Sequence, residues 1–165
     1  MMGRFALMVA VTATFAGAAA AQERPASGVE QAAEITVQTW EVLQGKILGM
    51  ARDFPAELFD SRPHPDSRSF VEEIWHVASG NEVLAAQIRG ERVDPASLTI
   101  SDDVKHDRAM MIERLSASAE ECADLLRARF DARSIRTLEH MGEHYGKLVT
   151  IYRINGLVPP DSRRP

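Results

Sequence analysis

An all-α domain, a four-helix bundle with a long crossover between its second and third helices, is the fold the sequence predicts, and three observations predict it. Apolar residues recur at alternating steps of three and four along four long segments, the period of a helix that buries one face. No run alternates apolar and polar residues at the period of two that a half-buried strand requires. The breaks between the segments hold the prolines, glycines and small polar residues that stop helices.

The N-terminus stands apart from this pattern. Arg4 precedes an unbroken stretch of apolar and small residues from Phe5 to Ala21, ending in Ala19-Ala20-Ala21-Gln22. A basic start, a short apolar run and small residues before a cut are the marks of a secretory signal peptide over residues 1–21, with cleavage after Ala21. Alanine and glycine make the stretch only weakly apolar, so a retained anchor is the lesser alternative, and no other run would span a bilayer. The expected address is exported, periplasmic or secreted. What remains, residues 22–165, is a length that one hydrophobic core serves, which predicts a single domain. The whole chain carries a formal charge of −5, and losing Arg4 makes it more negative. That is the wrong sign for a nucleic-acid partner, whose phosphates must be neutralised. Cys122 is the only cysteine and can form no internal disulfide.

The first helix is predicted from about Ser27 to Arg52, on the stripe Val29, Ala33, Thr36, Trp40, Leu43, Ile47, Met50, Phe54, and Pro55 ends it. Pro55, Pro63 and Pro65 make the next segment an ordered loop. Ser69 starts the second helix, with Glu72 three residues on forming a capping box. Its inner face reads Phe70, Ile74, Val77, Asn81, Leu84, Ile88, and Gly90 stops it. Residues Gly90 to Ser101 are too long for a tight turn and predict the crossover. The third helix is placed from near Asp102, with Ser101 as N-cap, and buries Val104, Met111, Leu115, Ser118, Cys122 and Leu125. After a turn at Phe130 to Ser134, the fourth turns Ile135, Leu138, Met141, Tyr145, Leu148 and Tyr152 inward and stops at Asn155-Gly156. Cys122 therefore reads as an inert core thiol.

Chemistry rests on the histidines. His140 and His144 are one turn apart on the fourth helix, and His76 sits within the second. Imidazoles at i and i+4 share a face, so two can converge on one ion while a third arrives from a neighbouring helix. Spacing alone leaves the alternative open, because all three lie at the flank of their apolar stripes, where boundary residues also lie. Small or apolar neighbours of His76, namely Ser79, Gly80 and Val83, would allow close helix approach. Among other polar residues, Glu143 is expected to point away from the histidine face, and Tyr145 and Tyr152 read as core. Asn81 needs a buried hydrogen-bond partner, with a structural bond to a loop favoured over substrate contact. His64 reads as a loop residue, and His106 as lying on an outer face.

Longer stretches carry a resemblance. Phe54-Pro55-Ala56-Glu57-Leu58-Phe59, Arg62-Pro63, Ser69-Phe70 and Glu73-Ile74-Trp75-His76-Val77-Ala78-Ser79-Gly80-Asn81 resemble the first half of the DinB-like (DinB/YfiT-type) four-helix metal-binding family. His140-Met141-Gly142-Glu143-His144-Tyr145-Gly146-Lys147-Leu148-Val149 and Tyr152-Arg153-Ile154-Asn155-Gly156-Leu157-Val158-Pro159-Pro160 are similar to its closing segment. The resemblance implies an up-down-down-up bundle and a divalent cation, zinc or nickel, on one histidine of the second helix and two of the fourth, here His76, His140 and His144. Lys147 stands where many relatives have glutamine. The resemblance further implies a homodimer and, for some branches, a small-molecule thiol as cosubstrate in transferase or isomerase reactions. Three readings follow: a metal-dependent transferase or hydrolase, a protein that binds metal or a small ligand without chemistry, and a bundle that the metal only staples.

Overall fold

Capping and breaking residues set the helix ends in the computed structural model, which describes residues 27–105 and 107–163. The expected signal peptide over residues 1–21 and His106 lie outside the described residues. Ser27 and Glu30 form a capping box at the start of α1 (Gly28–Asp53), and Phe54, extended ahead of Pro55, ends it. Ser69 and Glu72 repeat the device at α2 (Phe70–Arg89), which closes on Gly90 at φ 79°, a left-handed conformation that favours glycine. A short 3-10 turn, Pro95–Leu98, punctuates the crossover.

The third predicted helix begins differently from expectation. Ser101 precedes only the four-residue α3 (Asp102–Lys105), and the long helix α4 (Arg108–Ala128) starts afresh, with the Asp107 carboxylate accepting from the Met110 amide at 2.9 Å. A second good cap six residues after the first restarts the helix, and the periodicity alone could not choose between them. The last helix, α5 (Arg133–Ile154), ends before Gly156, at φ 73°. Two residues placed inward by the stripe are exposed, Val29 at 68% and Ile135 at 56%. Both lie in the first turns of their helices, where no facing helix covers them.

Cross-helix bonds fix the directions. Tyr152 Oη donates to the Met50 carbonyl at 2.9 Å, joining the C-terminal ends of α1 and α5, so those two run parallel. Arg133 at the start of α5 donates to the Gln87 carbonyl at the end of α2, while His144 meets Glu73 near the start of α2; these helices are antiparallel. Arg114 pairs with Glu82, and Arg89 with Glu121, along parallel α2 and α4. The order is up, down, down, up, and no strand occurs among the described residues. Helix α2 packs between α4 and α5, with α1 across the bundle from it.

The core has two portions. Phe54, Phe59, Phe70 and Tyr152 stack at one end, the Phe54 and Phe70 ring centroids lying 3.9 Å apart. Trp40, Leu84, Cys122 and Leu126 fill the other, where Trp40 Nε1 donates to the Ala119 carbonyl at 3.1 Å. Cys122 is fully buried, as its stripe predicted, and burial pushes its thiol up to about 12, which keeps it protonated and unreactive. Among the described residues no helix is long and apolar enough to cross a membrane.

Candidate metal centre

Antiparallel packing brings the second turn of α2 against the middle of α5, and this is where the three histidines meet. His76 reaches in from α2; His140 and His144 reach in from successive turns of α5. His140 Nε2 lies 3.3 Å from His76 Nε2 and 3.1 Å from His144 Nε2. One ligand atom from each of the three lies within 4.8 Å of the others, so the cluster could hold a metal ion. The rings meet steeply, at 61° to 89°, so they converge by their edges and do not stack.

The donor set fits such an ion. Nitrogens about 2.0–2.1 Å from a tetrahedral cation stand roughly 3.3–3.4 Å from one another, close to the separations found here. Three ring nitrogens that face one another have too few protons to satisfy every pair, whereas a cation satisfies all three at once. Burial, and then the charge of Arg68, hold the His76 imidazole down at about 4. Burial and His144 also hold His140 below its ordinary value. Both are thus neutral donors near pH 7, the form that ligates metal.

A fourth residue completes the cluster, and the sequence reading gave it no role. Glu73 Oε2 stands 2.5 Å from His144 Nδ1, and both side chains are almost fully buried. Burial by itself would raise the Glu73 carboxyl, but the hydrogen bond and charge of His144, helped by Lys147 and Arg68, hold it below its ordinary value. An ionised carboxylate on Nδ1 fixes that nitrogen as the donor and turns the Nε2 lone pair toward the cluster. The signal was available: Glu73 lies one turn from Phe70 and Val77 on the buried face of α2, and a carboxylate there requires a partner.

The surroundings separate a closed side from an open one. His144 is wholly buried, whereas the His140 side chain is 46% exposed. A cavity of 530 Å³ runs from His76 and His140 along the α2–α5 seam, and another of 440 Å³ opens on the far side of His76. Leu98 of the crossover borders both. Its carbonyl accepts from Trp75 Nε1 at 2.9 Å, and the Arg114 guanidinium lies 3.5 Å above the Trp75 ring while pairing with Glu82. The crossover is therefore fastened beside the histidines by contacts from α2 and α4.

The other polar residues sort cleanly. Glu143 is exposed and reaches only the outer nitrogen of His140, at 3.9 Å. Asn81 is structural, but its partners are Gln44 and Ser118 on neighbouring helices where a loop had been expected. Tyr152 is core and donates to Met50 and Asp53; Tyr145 is half-buried, with Lys46 over its ring. His64 is an exposed loop residue beside Asp66.

Comparison with known proteins agrees with the fold. A family model described as the DinB superfamily matches residues 36–154, a span that holds Glu73 and all three histidines. No curated protein and no solved structure matches the chain.

Proposed function

Because the chain belongs to the DinB superfamily, we propose that it is an exported metal-dependent enzyme, a transferase or hydrolase, whose divalent cation sits on His76, His140 and His144. One observation carries the reading: three imidazoles converge on a spot that borders two cavities, with His140 Nε2 at 3.3 Å from that of His76 and 3.1 Å from that of His144. A structural zinc site normally closes with four protein ligands, while three leave a position for a substrate atom or water. When bound there, a divalent cation would polarise a substrate oxygen or lower the pKa of a water or thiol. Zinc and nickel both suit imidazole donors.

The chain's own residues have definable parts. Glu73 orients His144, and the buried α2–α5 packing holds His76 against the α5 pair. His140, the most exposed of the three, borders the side from which a substrate would arrive. Export is supported by the Arg4 to Ala21 pattern alone.

The test begins with purified chain and elemental analysis of bound metal, repeated on His140→Ala and His144→Ala. Near-stoichiometric metal in the parent and its loss in both variants is the expected result; equal metal in all three proteins overturns the site. Thiol-transfer and hydrolysis assays on the loaded protein then separate an enzyme from a binding or stapling role, and a flat response across them would remove the catalytic reading.

A further inference from the structure

The α2–α5 seam holds more than the histidines. Along α5 the residues Arg136, His140 and His144 follow one another at four-residue intervals, so the arginine continues the ligand stripe by one further turn, about 6 Å along the axis. Arg136 lines the 530 Å³ cavity together with His76 and His140. Val83 and Leu84 of α2 and Leu98 of the crossover give that cavity an apolar wall.

We propose that this cavity binds a small organic anion lengthwise, its acid group on the Arg136 guanidinium and its other end at the histidine cluster, which makes Arg136 the residue that selects for a carboxylate. This rests on the metal reading given above.

Three charges line the cavity, and their commitments differ. Arg133 is occupied, its guanidinium pairing with Asp131 and donating to the Gln87 carbonyl at 2.9 Å. Arg136 makes no hydrogen bond or ion pair among the described residues, and neither does Glu139. Those two would cancel if they stood equally toward the seam. They do not stand equally: both border the cavity, but Glu139 is rotated about 100° from His140 and Arg136 only about 40°, so the arginine is the nearer of the two to the histidine stripe. Beyond the histidines, Arg62 and Arg68 border the second cavity at His76 together with Asp66 and Glu72, and around His140 the charge of Lys147 is opposed by Glu143 and Glu139. The fixed side chains thus come near balance, and the sign is set by the divalent cation that the proposed site would hold, with Arg136 one turn away, so that an anion is drawn along the seam. The guanidinium offers a planar pair of donors matched to a carboxylate, and the apolar wall suits a short hydrocarbon body between the two polar ends.

Isothermal titration of the metal-loaded full chain tests this with three probes of equal length, each carrying a hydroxamate to anchor on the cation. The monohydroxamate of adipic acid ends in a carboxylate, hexanohydroxamate in a methyl group, and 6-aminohexanohydroxamate in an ammonium. The carboxylate probe is expected to bind the parent about tenfold or more tighter than the methyl probe, the size of one charge-assisted contact, with the amine probe weakest. In Arg136→Gln, an exposed substitution, the carboxylate advantage should shrink to less than about threefold while metal content stays unchanged. Equal binding of the carboxylate and methyl probes, an amine probe that binds tightest, an advantage that survives in Arg136→Gln, or no probe binding to loaded protein overturns the proposal. Protein that takes up no metal instead sinks the metal reading itself, and the two failures are told apart by elemental analysis of the same sample.

Discussion

Helix α2 carries two polar clusters little more than one turn apart, and they are built on opposite principles. Asn81 and Gln44 exchange amide hydrogen bonds, Gln44 Nε2 to Asn81 Oδ1 at 2.9 Å and Asn81 Nδ2 to Gln44 Oε1 at 3.3 Å. The Asn81 amide also reaches Ser118 Oγ at 3.2 Å, and Cys122 Sγ donates to the Asn81 carbonyl. Every donor there meets an acceptor, and the cluster is sealed inside the bundle, linking α1, α2 and α4. At the histidines only the Glu73–His144 half is closed in that way. The three Nε2 atoms point at one another beside a cavity, with more lone pairs than protons to fill them. A closed polar network specifies packing, and an open one invites a ligand.

That contrast breaks most sharply at His144, which belongs to both the buried pair and the open triad. His144→Ala should abolish metal uptake and, in metal-free protein, remove about 3–5 kcal/mol of stability, because it leaves the Glu73 carboxylate buried without its partner. His76→Ala should match it in metal loss while leaving the metal-free melting temperature far less changed. Elemental analysis and thermal melts of both variants check this; equal destabilisation would mean that the Glu73 pair contributes nothing special. At the sealed cluster the converse holds. Asn81→Ala strands the Gln44 amide and should cost about 1–3 kcal/mol in a denaturant melt, with metal content intact. Glu73→Gln comes next: it keeps the shape and a hydrogen bond but not the charge that fixes the Nδ1 proton. Metal affinity should fall about 10–100-fold in a competition titration. An unchanged affinity would show that His144 needs no orienting carboxylate.

The same contrast explains what the sequence disclosed. The helices, the caps at Ser69 and Gly90 and the inner face of α2 were legible because apolar period and capping chemistry are local. The two-part start of α4 was not, since Ser101 and Asp107 are both good caps and only tertiary packing selects between them. His140 and His144 were visible as a spaced pair and His76, with small residues on its face, as a candidate third ligand, but only the resemblance tied the three together, because a partner on another helix leaves no local period. Glu73 was hidden for a different reason. Its role depends on meeting His144, 71 positions away, although a carboxylate on an apolar stripe already announced that some partner existed.

A smaller effect separates the two clusters by pH, because only the open one holds imidazoles whose proton binding changes on unfolding. The folded protein holds His76 at about 4 against an ordinary 6.5. An unfolded chain therefore binds more protons between those values, so metal-free stability is fully present above about pH 6.5 and declines as pH falls toward 4. His140, also held low, adds in the same direction. Melts of metal-free protein across that window should show the decline, and His76→Gln should flatten part of it. Asn81→Ala should shift the whole curve downward without changing its slope, since nothing in the sealed cluster ionises there. A slope unaltered by His76→Gln would show that the imidazole is not held neutral by its surroundings.

The smallest effect lies between the clusters, at Gly80, where a methyl group would test how tightly the seam must close. A Cβ built there would stand 2.8 Å from Met141 Cε, the end of a fully buried but flexible side chain. Two contributions oppose each other. Alanine in a helix interior is favoured over glycine by about 1 kcal/mol, while the Met141 displacement costs a comparable amount if the thioether must leave a good rotamer. The net change in metal-free stability should stay within about 1 kcal/mol of zero. Metal binding is not so balanced. Gly80 lies one turn from His76, and Met141 adjoins His140, so any relief taken as helix separation widens the 3.3 Å gap between those two rings. Gly80→Ala should therefore weaken metal affinity several-fold while the melting temperature barely moves. If the affinity holds and only the melting temperature rises, Met141 has absorbed the methyl by itself and the convergence of the imidazoles does not depend on close contact at this point. Loss of both stability and affinity would instead place Gly80 with Asn81, as part of the packing that specifies the bundle.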